Sequence, residues 1–113
     1  MPETSLPLET TPQDIQRRLA AGEKLLLIDV REPAEFQVAR IPDAELIPMR
    51  TVPAQLQRLE AASDDATLIV YCHHGVRSAA VANFLRQQGF RAVNLEGGLD
   101  LWARAIDRTM KRY

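Results

Sequence analysis

Leu68-Ile69-Val70-Tyr71-Cys72-His73-His74-Gly75-Val76-Arg77-Ser78 is the stretch on which the reading of this chain turns. An apolar run ends at Cys72, the only cysteine, and a short turn with Gly75 follows. Arg77-Ser78 then opens a segment of helical periodicity, Ala79-Ala80-Val81-Ala82-Asn83-Phe84-Leu85. The pattern predicts strand, tight loop and helix, with the cysteine where the loop begins. A thiol placed there faces backbone N–H groups and the positive end of a helix macrodipole. The Arg77 guanidinium adds a full positive charge close by, and both effects favour the nucleophilic thiolate. A cysteine ending an apolar strand can also be a small buried hydrophobe. Such a cysteine needs neither a loop able to wrap an anion nor a nearby guanidinium, so the glycine and the Arg-Ser pair point to a reactive one.

Working outward, strands and helices alternate. Leu25 to Val30 is a continuous apolar run that suits a strand buried on both faces, as does Thr67 to Tyr71. Thr11-Pro12-Gln13-Asp14 is a helix start, with Thr11 as N-cap, Pro12 at N1 and Asp14 at N3. Ile15 and Leu19 give that helix an apolar stripe, and Gly22 ends it. Short helices are expected from Pro33 to Val38 and from Val52 to Leu59, with a turn at Ile41-Pro42-Asp43-Ala44 and a short strand from Glu45 to Pro48. Ser63-Asp64-Asp65 reads as a loop. The helix after Cys72 runs from about Arg77 to Gln88 and stops at Gly89. Ala92 to Leu95 is a third clear strand, and Gly97-Gly98 turns the chain into a last helix containing Trp102. Residues 1–10 read as extended, with a short strand at Leu6 to Glu9, and 107–113 as a polar tail. The alternation implies a parallel sheet with helices on both faces. Sites in such sheets form at the C-terminal ends of strands, where Cys72 and Asp29-Val30-Arg31-Glu32 both stand.

The chain has 113 residues, about one domain, and 46% of them are hydrophobic, enough for a core without disulfides. A single cysteine cannot form an internal disulfide, which fits a reducing compartment. With 14 basic and 15 acidic residues the charge is balanced, so neither a nucleic-acid footprint nor a membrane-surface helix is indicated. No apolar run is long enough to span a bilayer, and Met1-Pro2-Glu3-Thr4-Ser5 lacks the features of a secretory signal. The expected location is cytoplasmic.

Cys72-x4-Arg77 is one residue shorter than the Cys-x5-Arg loop of cysteine-dependent phosphatases. A shorter loop closes a tighter nest, suited to a smaller anionic group such as a persulfide sulfur on Cys72 itself. Further motifs stand in order around it: Asp29-Val30-Arg31-Glu32-Pro33-Ala34-Glu35-Phe36, Ile41-Pro42-Asp43-Ala44, Ile47-Pro48, Gly89-Phe90, Leu95-Glu96-Gly97-Gly98 and Trp102. Together they resemble a single-domain rhodanese, a thiosulfate:acceptor sulfurtransferase. The resemblance implies a five-stranded parallel sheet flanked by helices, spanning one domain, and a cysteine cycling between thiol and persulfide. One departure is visible: family members often carry Gly-His-Ile-Pro-Gly-Ala where this chain has Ala39-Arg40-Ile41-Pro42-Asp43-Ala44, which bears on turn geometry rather than on chemistry.

By that resemblance, Cys72 takes the outer sulfur of a small anionic donor and passes it to a thiol, to cyanide or to a protein. The amides of His73, His74, Gly75, Val76, Arg77 and Ser78 would cradle the persulfide. Arg77 would lower the thiol's pKa or hold the donor; its alternative is a helix-start side chain paired with an acid. His73 and His74 are expected at the pocket mouth, where their titration could tune charge, with catalytic acid–base work as the alternative, and not as metal ligands. Asp29 and Arg31 are assigned a supporting role, through an ion pair with Glu35 or hydrogen bonds that fix neighbouring loops, with donor contact as the alternative for Arg31. Trp102 is read as core. No cofactor is implied. The stretch from Trp102 to Tyr113 is similar to the tail of rhodanese domains fused to sulfur-carrier activating enzymes, which suggests a sulfur-carrier protein as a partner. The competing readings are a persulfide or stress-sensing adaptor with little turnover, and a cysteine phosphatase or arsenate reductase.

Overall fold

The fold was analysed in a computed structural model, which describes residues 7–63 and 66–111. Five parallel strands form one sheet: β1 (Glu9–Thr10), β2 (Leu25–Asp29), β3 (Glu45–Leu46), β4 (Thr67–Tyr71) and β5 (Ala92–Leu95), in the order β1-β5-β4-β2-β3. Five α-helices alternate with them: α1 (Pro12–Ala20), α2 (Pro33–Val38), α3 (Leu56–Ala62), α4 (Val76–Gln87) and α5 (Gly98–Ala105). A 3-10 helix, Met49–Gln55, leads into α3.

The two strands expected to be buried on both faces lie at the centre of the sheet, in register Leu25 to Thr67 through Asp29 to Tyr71. Every residue of β4 is buried. Successive side chains on a strand point to opposite faces, so each central strand feeds two cores. Ile28, Val30, Leu68, Val70 and Cys72 pack with Leu59, Val81 and Leu85 of α3 and α4. Leu27, Ile69 and Tyr71 pack on the other face with Ile15 of α1 and Leu99 and Trp102 of α5. Each such Leu or Ile contributes about 2 kcal/mol through removal from water, which makes this double layer the main source of stability. The alternation also decides that the Cys72 side chain turns toward α4.

Local starts and stops follow the sequence. Thr11 accepts the Asp14 N–H at 3.1 Å as N-cap of α1, and Gly22 lies beyond its end at φ 79°. Leu19, expected in the apolar stripe, is 40% exposed; Pro12 and Ile15 carry the buried face. The helix expected from Val52 to Leu59 instead begins as a 3-10 helix, because Pro53 within it has no N–H to donate to the α ladder. The first strand is Glu9–Thr10, one residue further along than expected at its end, and Leu6 lies outside the described residues, as do Asp64 and Asp65 of the expected loop and Arg112-Tyr113 of the tail. β3 is two residues long rather than four: the Ile47 N–H donates to Asp29, the last residue of β2, but the Met49 N–H donates to Val30, one residue on instead of two, which breaks the ladder.

The segment that departs from the family pattern forms a hydrogen-bonded turn. Ala44 N–H donates to the Ile41 carbonyl at 3.1 Å, and Asp43 sits at φ 68°. Pro42 presets the residue before it, and aspartate is among the few non-glycine residues that tolerate this left-handed region. Asp43→Gly is expected to raise the urea-unfolding free energy slightly, by up to about 0.5 kcal/mol, while Asp43→Val lowers it by about 1–2 kcal/mol. Equal stability of the glycine and valine variants in parallel urea melts would contradict a left-handed Asp43.

Candidate active site

β4 ends at Tyr71, α4 begins at Val76, and the loop between them wraps the Cys72 sulfur. Sγ accepts the Gly75 N–H at 3.1 Å, the Ser78 N–H at 3.4 Å and approaches the Ser78 hydroxyl at 3.3 Å. Cys72 is 1% exposed. Burial pushes its thiol up, but the Ser78 hydroxyl and the amides of Ser78, Gly75 and His74 outweigh burial and hold it below the ordinary thiol range. Gly75, at φ 102°, lets the loop turn sharply enough to aim its N–H at the sulfur.

The loop's carbonyls face the other way, and α5 holds them. Leu99 N–H donates to the Cys72 carbonyl at 2.8 Å and Asp100 N–H to the His73 carbonyl at 3.0 Å. The first N–H groups of one helix therefore satisfy two of the loop's carbonyls, on the side away from the sulfur. This approach admits no side chain at Gly98: a Cβ there would stand 2.5 Å from the Cys72 carbonyl oxygen and 2.6 Å from that of His73.

Arg77, expected beside the thiol, is bound bidentately to Glu35 of α2, at 2.9 and 3.1 Å. Glu35 Oε1 also accepts the Glu32 N–H at 3.0 Å, so the cap of α2 and the start of α4 share one carboxylate. The groups that acidify Cys72 are the neutral dipoles of the loop and Ser78. Asp29 and Arg31 pair with each other rather than with Glu35. The Arg31 Nε lies 2.9 and 3.1 Å from the two carboxylate oxygens, and both side chains are 0% exposed. Arg31 also donates to the Ala39 carbonyl at 2.6 Å, tying the end of β2 to the end of α2. Tyr71 accepts the Ile41 N–H at 3.2 Å, and burial and the Asp29 carboxylate push its phenol far up, so it stays neutral.

His73 is half-buried and His74 exposed, their rings stacked with centroids 4.1 Å apart. Burial, then the neighbouring His74, holds His73 below the usual imidazole value, which keeps the His73 ring uncharged at neutral pH. Among the described residues no group of three or more His, Cys, Asp or Glu side chains is arranged to hold a metal ion. Val76 is 79% exposed at the loop's outer edge. A groove of about 360 Å³, lined by Val30, Glu32, Met49, Arg50, Pro53 and Arg77, adjoins the loop. A larger cavity of about 450 Å³ lies at the opposite end of the sheet, around Ala66 and Arg91, away from the chemistry.

Sequence reasoning missed Asn94 and Glu9. Asn94 is 2% exposed on β5 and touches both the loop and Ser78. Its signal was a lone amide inside the apolar run Ala92-Val93-Asn94-Leu95.

Gly98→Ala is expected to displace the loop. It should lower stability by about 2 kcal/mol or more and return the Cys72 thiol toward the ordinary range. A variant as stable as the parent, with an unchanged thiol titration by ultraviolet absorbance, would contradict the contact.

Comparison with known proteins agrees with this geometry. Residues 11–105 match the family model of the rhodanese-like domain. A sulfurtransferase of Allochromatium vinosum is 38% identical over 97 residues, covering 85% of this chain and 88% of that protein. The probable adenylyltransferase/sulfurtransferase MoeZ of Mycobacterium tuberculosis is 38% identical over 104 residues, 91% of this chain but 26% of that longer protein. A rhodanese-related protein from Thermoplasma volcanium, 32% identical, superimposes with a TM-score of 0.75 over 85% of this chain and 90% of its own. Among the described residues no helix is long and apolar enough to cross a membrane. The five-stranded parallel sheet, the cysteine loop at the end of its central strand and these relatives together place the chain in the rhodanese-like domain family, among sulfurtransferases.

Proposed function

We propose that this protein transfers sulfane sulfur from a small anionic donor such as thiosulfate to a nucleophilic acceptor, carrying it as a persulfide on Cys72. The observation that supports this reading most directly is the sulfur itself, ringed by the N–H groups of Gly75 and Ser78 and held below the ordinary thiol range. In the first half-reaction the Cys72 thiolate attacks the outer sulfur of thiosulfate. A bond forms between Sγ and that sulfur, the donor's S–S bond breaks, and sulfite leaves with the electron pair. In the second, an acceptor nucleophile attacks the outer sulfur and the Cys72 thiolate leaves. The loop amides and the N-terminus of α4 stabilise the negative charge that the outer sulfur carries between the two steps.

Arg77, 38% exposed in its side chain, serves as the anchor for the donor's oxyanion, in competition with Glu35. Guanidinium matches a sulfonate-like group bidentately, as it matches the carboxylate it now holds. The location that suits an enzyme with one unpaired thiol is a reducing compartment such as the cytoplasm. The kinship with MoeZ, whose name joins adenylyl and sulfur transfer, favours a carrier protein among the acceptors.

Thiosulfate is expected to raise the intact mass by one sulfur, reversibly with cyanide or dithiothreitol, and not in Cys72→Ser. The loading rate should increase with pH and level off below the free-thiol reference of about 8.5, because the thiolate fraction saturates once pH passes the lowered pKa. Absence of the adduct on the parent protein would defeat the proposal.

Arg77→Ala should lower kcat/KM for thiosulfate by about ten- to a hundredfold, the range for losing a charge-assisted contact. Glu35→Gln, which releases Arg77, should lower KM. Equal activity losses in both variants, tracking their urea melts, would reduce Arg77 to a partner of the α2 cap.

A further inference from the structure

Asn94 reaches three elements at once. Its Nδ2 donates to both Glu9 carboxylate oxygens, at 2.9 and 3.0 Å, and to the Gly75 carbonyl at 3.1 Å. Only acceptors stand on that side, so the amide orientation is fixed and Oδ1 faces the Ser78 hydroxyl, 2.5 Å away. The same hydroxyl lies 3.3 Å from Cys72 Sγ. A serine hydroxyl has one proton, and here two acceptors compete for it.

We infer that Asn94 is a positioning residue that withholds the Ser78 hydroxyl proton from Cys72 while the sulfur is a neutral thiol and yields it when the sulfur becomes an anion. In the thiol form, Cys72 S–H donates to Ser78 Oγ and Ser78 O–H donates to Asn94 Oδ1, and every donor has an acceptor. Ionisation sends the thiol proton to solvent. The hydroxyl then rotates to the sulfur, with no covalent bond broken, and Oδ1 loses its donor. Asn94 thus favours the neutral thiol, and Ser78 favours the anion. An outer persulfide sulfur, also anionic, would draw on the same hydroxyl, so the inference rests on the proposed function for its meaning but not for its test.

The surroundings allow Asn94 to be removed cleanly. The Gly75 carbonyl keeps the Ala79 N–H at 3.2 Å, and Glu9 is exposed to water. The other groups facing the loop are His73 and His74, the Glu35–Arg77 and Asp29–Arg31 pairs and Asp100 of α5; all remain when Asn94 is replaced.

The test is the ultraviolet titration of the thiolate in Asn94→Ala, Ser78→Ala and the double variant. Asn94→Ala should move the midpoint to lower pH, with about three- to tenfold more thiolate at any pH below it, the effect of one hydrogen bond. Ser78→Ala should move it to higher pH, and the double variant should match Ser78→Ala. Asn94→Leu, close to Asn in shape, should behave as Asn94→Ala. A midpoint unmoved or raised by removing Asn94, or lowered equally without Ser78, would overturn the inference. If neither Asn94 variant folds, the parent decides: the Asn94 side-chain amide resonances should shift with the thiolate midpoint, and resonances constant through it would overturn the inference. No sulfur donor enters these measurements, so failure here is distinct from failure of thiosulfate loading.

Discussion

The two hydrogen bonds from the start of α5 to the Cys72 and His73 carbonyls are what the site depends on. A peptide unit that points its N–H inward must point its C=O outward, and a buried carbonyl without a donor is costly. The start of α5 donates to the outward carbonyls of Cys72 and His73, and the His74 N–H, on the same peptide as the His73 carbonyl, faces the sulfur. Gly98 is the condition for that contact, since any side chain would occupy the space of the carbonyls. Gly98 and Cys72 are far apart in sequence, yet they specify one piece of geometry.

The site handles negative charge mostly with dipoles. Its full charges are used in pairs: Arg77 with Glu35, and Arg31 with Asp29. The second pair, wholly buried, joins two loops, and removing one partner would leave an uncompensated charge in the core, at a cost of about 3–5 kcal/mol. Fixed dipoles in a dry site need no reorganisation when charge develops on the sulfur, which is the advantage of amides over mobile side chains. Of the two guanidinium groups, Arg77 is half-exposed and Arg31 buried.

The central strands were legible because burial on both faces leaves an unbroken apolar run, as in Leu25 to Ile28 and Leu68 to Tyr71. The start of α1 was legible because a capping threonine and a proline act locally. The cysteine loop was legible as a strand-to-helix transition with a glycine at its bend. The 3-10 helix at Met49–Gln55 was not, because apolar spacing does not distinguish it from an α-helix and only Pro53 marks the difference. Nor were the partners of the charged residues: Arg77 meets Glu35 across 42 positions, and no local pattern encodes that distance. Asn94 escaped for the same reason, its role being fixed by Glu9, Gly75 and Ser78, from three different segments.

The dependence of the loop on α5 also orders events during synthesis. Cys72 leaves the ribosome well before Gly98 to Asp100, which brace its loop, and before β5, which separates β1 from β4 in the sheet. Parallel pairing requires such non-local partners, and chain closure over them is slow compared with forming a single helix. Until the last strand and helix dock, the sulfur lacks its ring of oriented donors and behaves as an ordinary thiol. The acidity of the thiol is thus a property of the completed fold, and a growing or partly unfolded chain carries its cysteine in a less acidic state.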